Sequence, residues 1–189
     1  MSSKVTKLLG AYRHHLSVPW QVGLAAIQRV IFAVYDKTDE LRLRANVEEF
    51  ALVTQQAGKQ WLLIDVTNAF PLWMAAQEYR NAYFENPEDL AGYQTGELTE
   101  FVASLTQQLK ARVAAEAGPD TVVALLGVGS LFGLARVSTV VEGIKDVVPG
   151  RLLVFFPGEH HPENHTYRLL DVRDGWNYLV GPAKRCKPA

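Results

Sequence analysis

A single cysteine, Cys186, rules out a disulfide within this 189-residue chain and fits a reducing compartment. Long apolar runs are missing too. None approaches the roughly 18 residues of a membrane helix, and the opening MSSKVTKLLGAYRHHL carries no signal-peptide core ending in a small-residue cleavage site. The expectation is a cytoplasmic protein with no membrane association. Neither sign of charge dominates: the net charge of −1 argues against a nucleic-acid binder driven by bulk electrostatics, so direct DNA binding is not expected. The usual catalytic signatures are also missing. No Gly-Lys-Ser/Thr occurs, so there is no P-loop lysine to face the β/γ-phosphates and no P-loop hydroxyl to hold Mg²⁺. Ser130 sits in Gly-Val-Gly-Ser-Leu rather than in a G-x-S-x-G nucleophile elbow. The lone cysteine is too remote for a Cys/His zinc finger.

What is present is an alternation of apolar runs and amphipathic stretches. With 48% hydrophobic and 21% charged residues, the chain has the composition of a globular domain that buries its own core, and one domain over 1–189 is expected, with an N-terminal helical extension over about 1–29. Val30–Tyr35 reads as a buried strand. Thr38 or Asp39 caps a helix whose face is Leu43, Val47, Phe50, Ala51, Thr54 and Ala57, and Gly58 ends it in the left-handed conformation. Trp61–Val66 is the second buried strand. Phe70–Phe84 is predicted as one helix opened by Pro71, and the acidic stretch to Glu100 as a loop. Leu98 to Val113 marks a long amphipathic helix stopped by Gly118-Pro119. A second unit follows: strand Thr121–Leu126, a glycine-rich turn, a helix with Val137, Val141, Ile144 and Val148 on one face, and strand Leu152–Phe156. After a loop GEHHPENH, the runs Tyr167–Val172 and Trp176–Val180 flank Asp174-Gly175, a hairpin signal. The fold class is therefore α/β: three layers, a mostly parallel sheet with helices on both faces, and a C-terminal antiparallel hairpin. Strand order does not follow from one sequence.

Gly127, Gly129 and Gly133 follow a strand, as phosphate-binding glycines do. Their spacing is G-x-G-x-x-x-G, however, with Phe132 where the dinucleotide fingerprint has its third glycine. The favoured reading is a tight strand-to-helix turn, and no cofactor is expected. Asp65 ends a strand as a Walker-B aspartate does, but with no P-loop it reads as a cap or turn residue. His160, His161 and His165 share one loop. His161 and His165 have the spacing of H-E-x-x-H, yet Pro162 opposes the helix that motif needs, so no metal site is expected. His14 and His15 read as helix-surface residues.

Charge and aromatic residues are unevenly spread. Residues 1–45 carry seven Lys/Arg against three Asp/Glu, residues 46–100 two against nine, and residues 101–189 ten against eight. These charges read either as solvated faces or as a polar docking surface around Glu78–Glu100. Trp73, Tyr79, Tyr83 and Phe84 crowd one predicted helix around Arg80. They serve the core or an interface, since Trp, Tyr and Arg dominate binding hot spots. The candidate interface is Trp73, Tyr79, Arg80, Tyr83, Phe84, Glu85, Glu88 and Asp89, and no catalytic residue is assigned.

Four segments together resemble a known family: Leu16–Phe50 (LSVPWQVGLAAIQRVIFAVYDKTDELRLRANVEEF), Trp73–Leu90 (WMAAQEYRNAYFENPEDL), Thr121–Ser138 (TVVALLGVGSLFGLARVS) and Gly150–Val180 (GRLLVFFPGEHHPENHTYRLLDVRDGWNYLV). FAVYD, LLGVGSLFG, LLVFFPGE, YRLLD and DGWNYL are specific in combination. The resemblance is to BrxB, a small component of bacteriophage-exclusion (BREX) defence systems, and it runs from about Tyr12 to Val180. The histidine-rich loop departs from the asparagine-rich loop of the family pattern. The resemblance implies a cytoplasmic, non-catalytic adaptor that binds PglZ, a phosphatase-superfamily protein. PglX, the system's DNA methyltransferase, is the second candidate partner, in support of phage exclusion and host DNA methylation. The family supplies no catalytic residues to carry over. The alternative reading is a nucleotide-sensing or degenerate NTPase-like domain built on the glycine turn.

Overall fold

The four apolar runs become four parallel strands. In the computed structural model, which describes residues 4–21, 23–86, 98–161, 166–170 and 172–173, these are β1 (Val30–Tyr35), β2 (Gln60–Asp65), β3 (Thr121–Leu126) and β4 (Arg151–His161). Their order across the sheet is β1-β4-β3-β2. The register is set by Val30 beside Leu152, Val122 beside Arg151 and Gln60 beside Thr121. Beyond Pro157, β4 continues through Gly158–His161 and pairs antiparallel with β5 (Thr166–Leu169), which pairs in turn with β6 (Val172–Arg173). The fold is α/β with an antiparallel C-terminal element. Two sequence expectations change here. Residues 158–161, expected as loop, are strand, because β5 supplies the ladder partners. The run Tyr167–Val172, expected as one strand, is divided between β5 and β6, and the hairpin signal Asp174-Gly175 and the expected strand Trp176–Val180 fall outside the described residues.

Each buried strand is apolar on both sides because both faces are covered. Ile31, Ala33, Tyr35, Val122, Ala124, Leu126, Leu153 and Phe155 point to one face. There they meet α1 (Lys4–Ser17) and α3 (Val47–Gln56). Phe32, Val123, Leu125, Val154 and Phe156 point to the other face, against α6 (Thr99–Glu116) and α7 (Val137–Ile144). α1 buries Val5, Leu8, Leu9, Tyr12 and Leu16, one helical stripe. It packs in the helical layer with α3. Tyr12 is fully buried and its hydroxyl lies 2.6 Å from Thr54 Oγ1. Thr54 already spends its only hydroxyl hydrogen on the Phe50 carbonyl at 2.7 Å, so Tyr12 is the donor. β2 is an edge strand, and Gln60 and Asp65 at its ends are exposed; its apolar run alone suggested a strand buried like the others.

The helix expected after β1 is two helices, α2 (Glu40–Ala45) and α3, separated by Asn46 at φ −116°. A 3₁₀ turn, Lys37–Asp39, precedes them, and its cap is Asp36, whose carboxylate accepts from the Thr38 amide at 2.9 Å. Gly58 does end α3 as expected, with φ +72°. Its amide donates to the Gln55 carbonyl and that of Lys59 to the Thr54 carbonyl, the paired bonds of a Schellman cap. The helix expected over 70–84 also splits, into α4 (Ala69–Ala75) and α5 (Arg80–Glu85). Side chains cap the break. Gln77 Nε2 donates to the Trp73 carbonyl at 3.0 Å and Arg80 Nη1 to the Ala75 carbonyl at 2.7 Å, satisfying acceptors that a continuing helix would have used. Pro71 is the third residue of α4, still within the first turn, where amides need no helical partner.

Candidate functional site

The chain runs from β1 across the whole sheet to β2, then steps back through β3 to β4. The connection after β1 uses one face and those after β2 and β3 use the other. Such a reversal opens a crevice at the carboxyl ends of the strands. A cleft of about 340 Å³ lies there, walled by Lys37, Glu40 and Arg44 after β1, Thr67 after β2, Gly127 and Ser130 after β3, and Pro157 of β4. Gly129 also lines it, whereas Gly133 does not.

The glycine turn closes on itself. Gly127 sits at φ +83°, and a Cβ there would lie 2.2 Å from Thr67 Oγ1, 2.6 Å from Asp65 Oδ1 and 2.8 Å from the Thr67 amide nitrogen. Glycine is required at this position because β2's loop occupies the space a side chain would need. The following residues form a 3₁₀ turn, Val128–Leu131, and α7 starts only at Val137. The amides of Ser130, Phe132, Leu134 and Ala135 donate to the carbonyls of Gly127, Gly129 and Leu131. The Ser130 hydroxyl is held 2.8 Å from the Gly127 carbonyl. An anion cradle needs amides pointing outward at a helix start, and these four are already engaged.

Arg44 organises the cleft's charge. It donates to Glu40 at 2.7 Å, to Asp65 at 3.1 Å and to Thr67 Oγ1 at 2.6 Å. Asp65 in turn accepts from the Thr67 amide at 2.9 Å, so it is the turn residue the sequence suggested. Tyr35 donates to Glu40's other oxygen. Burial, the largest influence, pushes the Tyr35 phenol far above its ordinary value, and the bond to Glu40 adds to this. For Asp65, burial is also the largest single influence and raises its value. The bonds from Thr67 and Arg44 together outweigh it and hold the carboxyl below the ordinary 3.8. For Arg44, burial again comes first and lowers its value, but Glu40 and Asp65 together raise it. None of this network was read from the sequence. Its one local signal is the Glu40–Arg44 spacing of four within a helix.

The network has a pH signature. Asp65 has a lower pKa folded than unfolded, so its contribution is present above the ordinary carboxylate value and is lost as pH falls through the folded value. Asp65→Asn keeps the shape and removes the charge. Urea midpoints of wild type and variant should differ by the same amount at neutral pH and at mildly acid pH, then converge below pH 3.8. Asp65 is 43% exposed, which limits the gap to about 1 kcal/mol or less. A gap unchanged through the acid range would rule out the Arg44–Asp65 pair as its source.

The aromatic residues divide between core and surface. Trp73 is half-buried and packs on Phe101, with ring centroids 5.6 Å apart, and on Phe70 at 6.0 Å. Tyr83 is also half-buried; with Trp73 and Met74 it lines a recess of about 180 Å³. Tyr79 is 72% exposed and Phe84 67%, beside Leu72 at 70%. Arg80 and Glu85 are exposed. Glu88 and Asp89 fall outside the described residues. His160 and His161 end β4, and residues 162–165 are not among the described ones. Among the described residues no group of three His, Cys, Asp or Glu converges to hold a metal, and no helix is long and apolar enough to cross a membrane.

The class this architecture defines is a parallel α/β protein with a reversal crevice. No protein-family model matches the chain, and neither curated proteins nor solved structures yield a match.

Proposed function

We propose that this chain is a non-catalytic interaction module whose docking face is the α4–α5 segment. The observation that carries the reading is the exposure of three large apolar side chains in one short stretch: Leu72 on α4, Tyr79 at the cap of α5 and Phe84 on α5. Aromatic side chains held in solvent beside an exposed arginine are the composition of binding hot spots. Residues 46–100, with nine acidic against two basic side chains, would steer a basic partner toward this face. The reversal crevice supports a nucleotide-sensing role less well, because the amides of Ser130, Phe132, Leu134 and Ala135 and the Arg44 guanidinium already have partners within the chain.

The resemblance to BrxB suggests the setting: a cytoplasmic bacteriophage-exclusion complex in which the module holds a PglZ-type protein, and a PglX-type methyltransferase beside it. The test is co-expression with the PglZ-type protein of the same defence locus, followed by affinity co-purification. Tyr79→Ala and Phe84→Ala should each weaken the complex by about 2 kcal/mol, roughly 30-fold in Kd. Their thermal midpoints should match wild type, because both rings are exposed. Wild-type protein that leaves the column without that partner would end the adaptor reading. Variants that bind as tightly as wild type would move the interface elsewhere.

A further inference from the structure

The opposite end of the sheet holds a cavity of about 590 Å³, larger than the reversal crevice. It lies where the strands begin. Arg29 precedes β1, Lys59 precedes β2, Asp120 precedes β3 and Arg151 opens β4, and all four line it together with Trp20. Among the described residues, three cations therefore line it with one carboxylate. Lys59 engages that carboxylate, Asp120. Arg151 is only 7% exposed, yet no described carboxylate pairs with it. Its one side-chain hydrogen bond among the described residues reaches the Gly150 carbonyl at 3.5 Å, beyond normal length. Burial, and then the nearby charge of Arg29, lower its pKa.

Buried charges are ordinarily paired, because an unpaired one loses its hydration without compensation. Here the mismatch repeats in the neighbours. Arg29 spends Nη1 on the Val148 and Pro149 carbonyls at 2.7 and 3.0 Å, while its Nε–H is buried without an acceptor. The indole N–H of Trp20 is likewise buried without an acceptor. Lys59 and Arg151 lie 4.3 and 4.7 Å from the centre of the Trp20 ring, contacts that hold both cations in place but neutralise neither. Every unsatisfied group is a donor, and the excess charge is positive.

We infer that this cavity is a binding site for a small phosphomonoester, whose dianionic phosphate would sit between Arg151 and Arg29. Its two negative charges match the two-charge excess, and its three terminal oxygens can accept from the guanidinium groups. The volume is that of a small-molecule site, and a nine-tenths buried arginine is out of reach of a duplex backbone. The inference is independent of the docking face proposed above.

The test uses the full chain, with thermal unfolding and calorimetry in chloride buffer. The probes are inorganic phosphate, AMP, adenosine and a thymidine oligonucleotide. Phosphate and AMP should raise the wild-type midpoint saturably and compete with each other; adenosine and the oligonucleotide should not. Arg151→Met gives a result that a purely structural arginine would not. It should raise the midpoint in chloride by removing an uncompensated charge, while weakening phosphate and AMP at least tenfold. Arg151→Lys should recover part of that binding. Arg29→Gln, which leaves Arg151 in place, should also weaken both ligands and provides the reading if Arg151→Met does not fold. Wild type indifferent to phosphate and AMP would overturn the inference. So would an Arg151→Met variant that is less stable yet still responds to phosphate. Oligonucleotide binding as tight as AMP, lost in Arg151→Met, would reassign the cavity to a nucleic-acid phosphodiester and equally overturn it.

Discussion

Phe50→Ala should lower the thermal midpoint by roughly 8–16 °C, the equivalent of about 4 kcal/mol for a chain of this length. Phe50 is fully buried on α3. Its ring meets Phe155 of β4 edge-to-face, with centroids 5.0 Å apart and planes at 89°, and Tyr12 of α1 at 5.5 Å. One side chain thus ties two helices to a strand inside the sheet. Truncating it removes the apolar transfer energy and leaves a hole, because three elements would have to shift together to close it. The edge-to-face pair adds about 1 kcal/mol beyond area. Phe50→Leu, which keeps most of the volume, should cost about 1.5 kcal/mol or less. Equilibrium urea unfolding gives both numbers. An alanine variant within about 1 kcal/mol of wild type would mean that α3 does not pack on β4 as described.

Gly127→Ala should cost about 3 kcal/mol, and its partner experiment isolates the reason. Both Gly127 and Gly133 have positive φ, +83° and +75°, so alanine at either incurs the left-handed penalty of about 1 kcal/mol. At Gly133 nothing lies within 4 Å of the new Cβ, and the cost should stop there. At Gly127 the Cβ would meet Thr67 and Asp65 at 2.2 to 2.8 Å, a backbone nitrogen among them. The β2 loop must move away, and the contacts from Arg44 to Asp65 and Thr67 move with it. The two variants should therefore differ by about 2 kcal/mol, measured as the difference in urea midpoint at equal slope. Equal costs at both positions would show that the turn does not press on the β2 loop.

Much of the fold was legible because it rests on local pattern. Val30–Tyr35 and Thr121–Leu126 have the same bounds in sequence and structure, since each is a β-branched run bounded by polar or glycine residues. Gly58 was legible for the same reason: a helix must stop, and only glycine reaches that backbone conformation without strain. Errors begin where distant residues decide. β4 extends to His161 because β5 folds back on it, which the composition of Gly158–His161 does not signal. β2 is half-exposed because strand order puts it at an edge. The breaks at Asn46 and after Ala75 contain neither glycine nor proline; at the second, side chains of Gln77 and Arg80 reach back to helix carbonyls.

The site was legible only in its outline. The glycine turn and Asp65 were visible, and both are turn elements in the structure. Arg44 was not visible as their partner, because it comes from the far side of a crossover whose span one sequence does not encode. Arg151 was hidden further still. At the head of an apolar strand it reads as a solvated boundary residue, and only the meeting of four strand starts under Trp20 buries it.

β4 has one more implication. Arg151 at its start lines the basic cavity and Pro157 lines the reversal crevice, six residues and about 20 Å along a single extended backbone. From Gly158 onward the same strand carries β5. The two recesses and the C-terminal element are thus laid out in sequence along one continuous extended backbone, held on its flanks by β1 and β3.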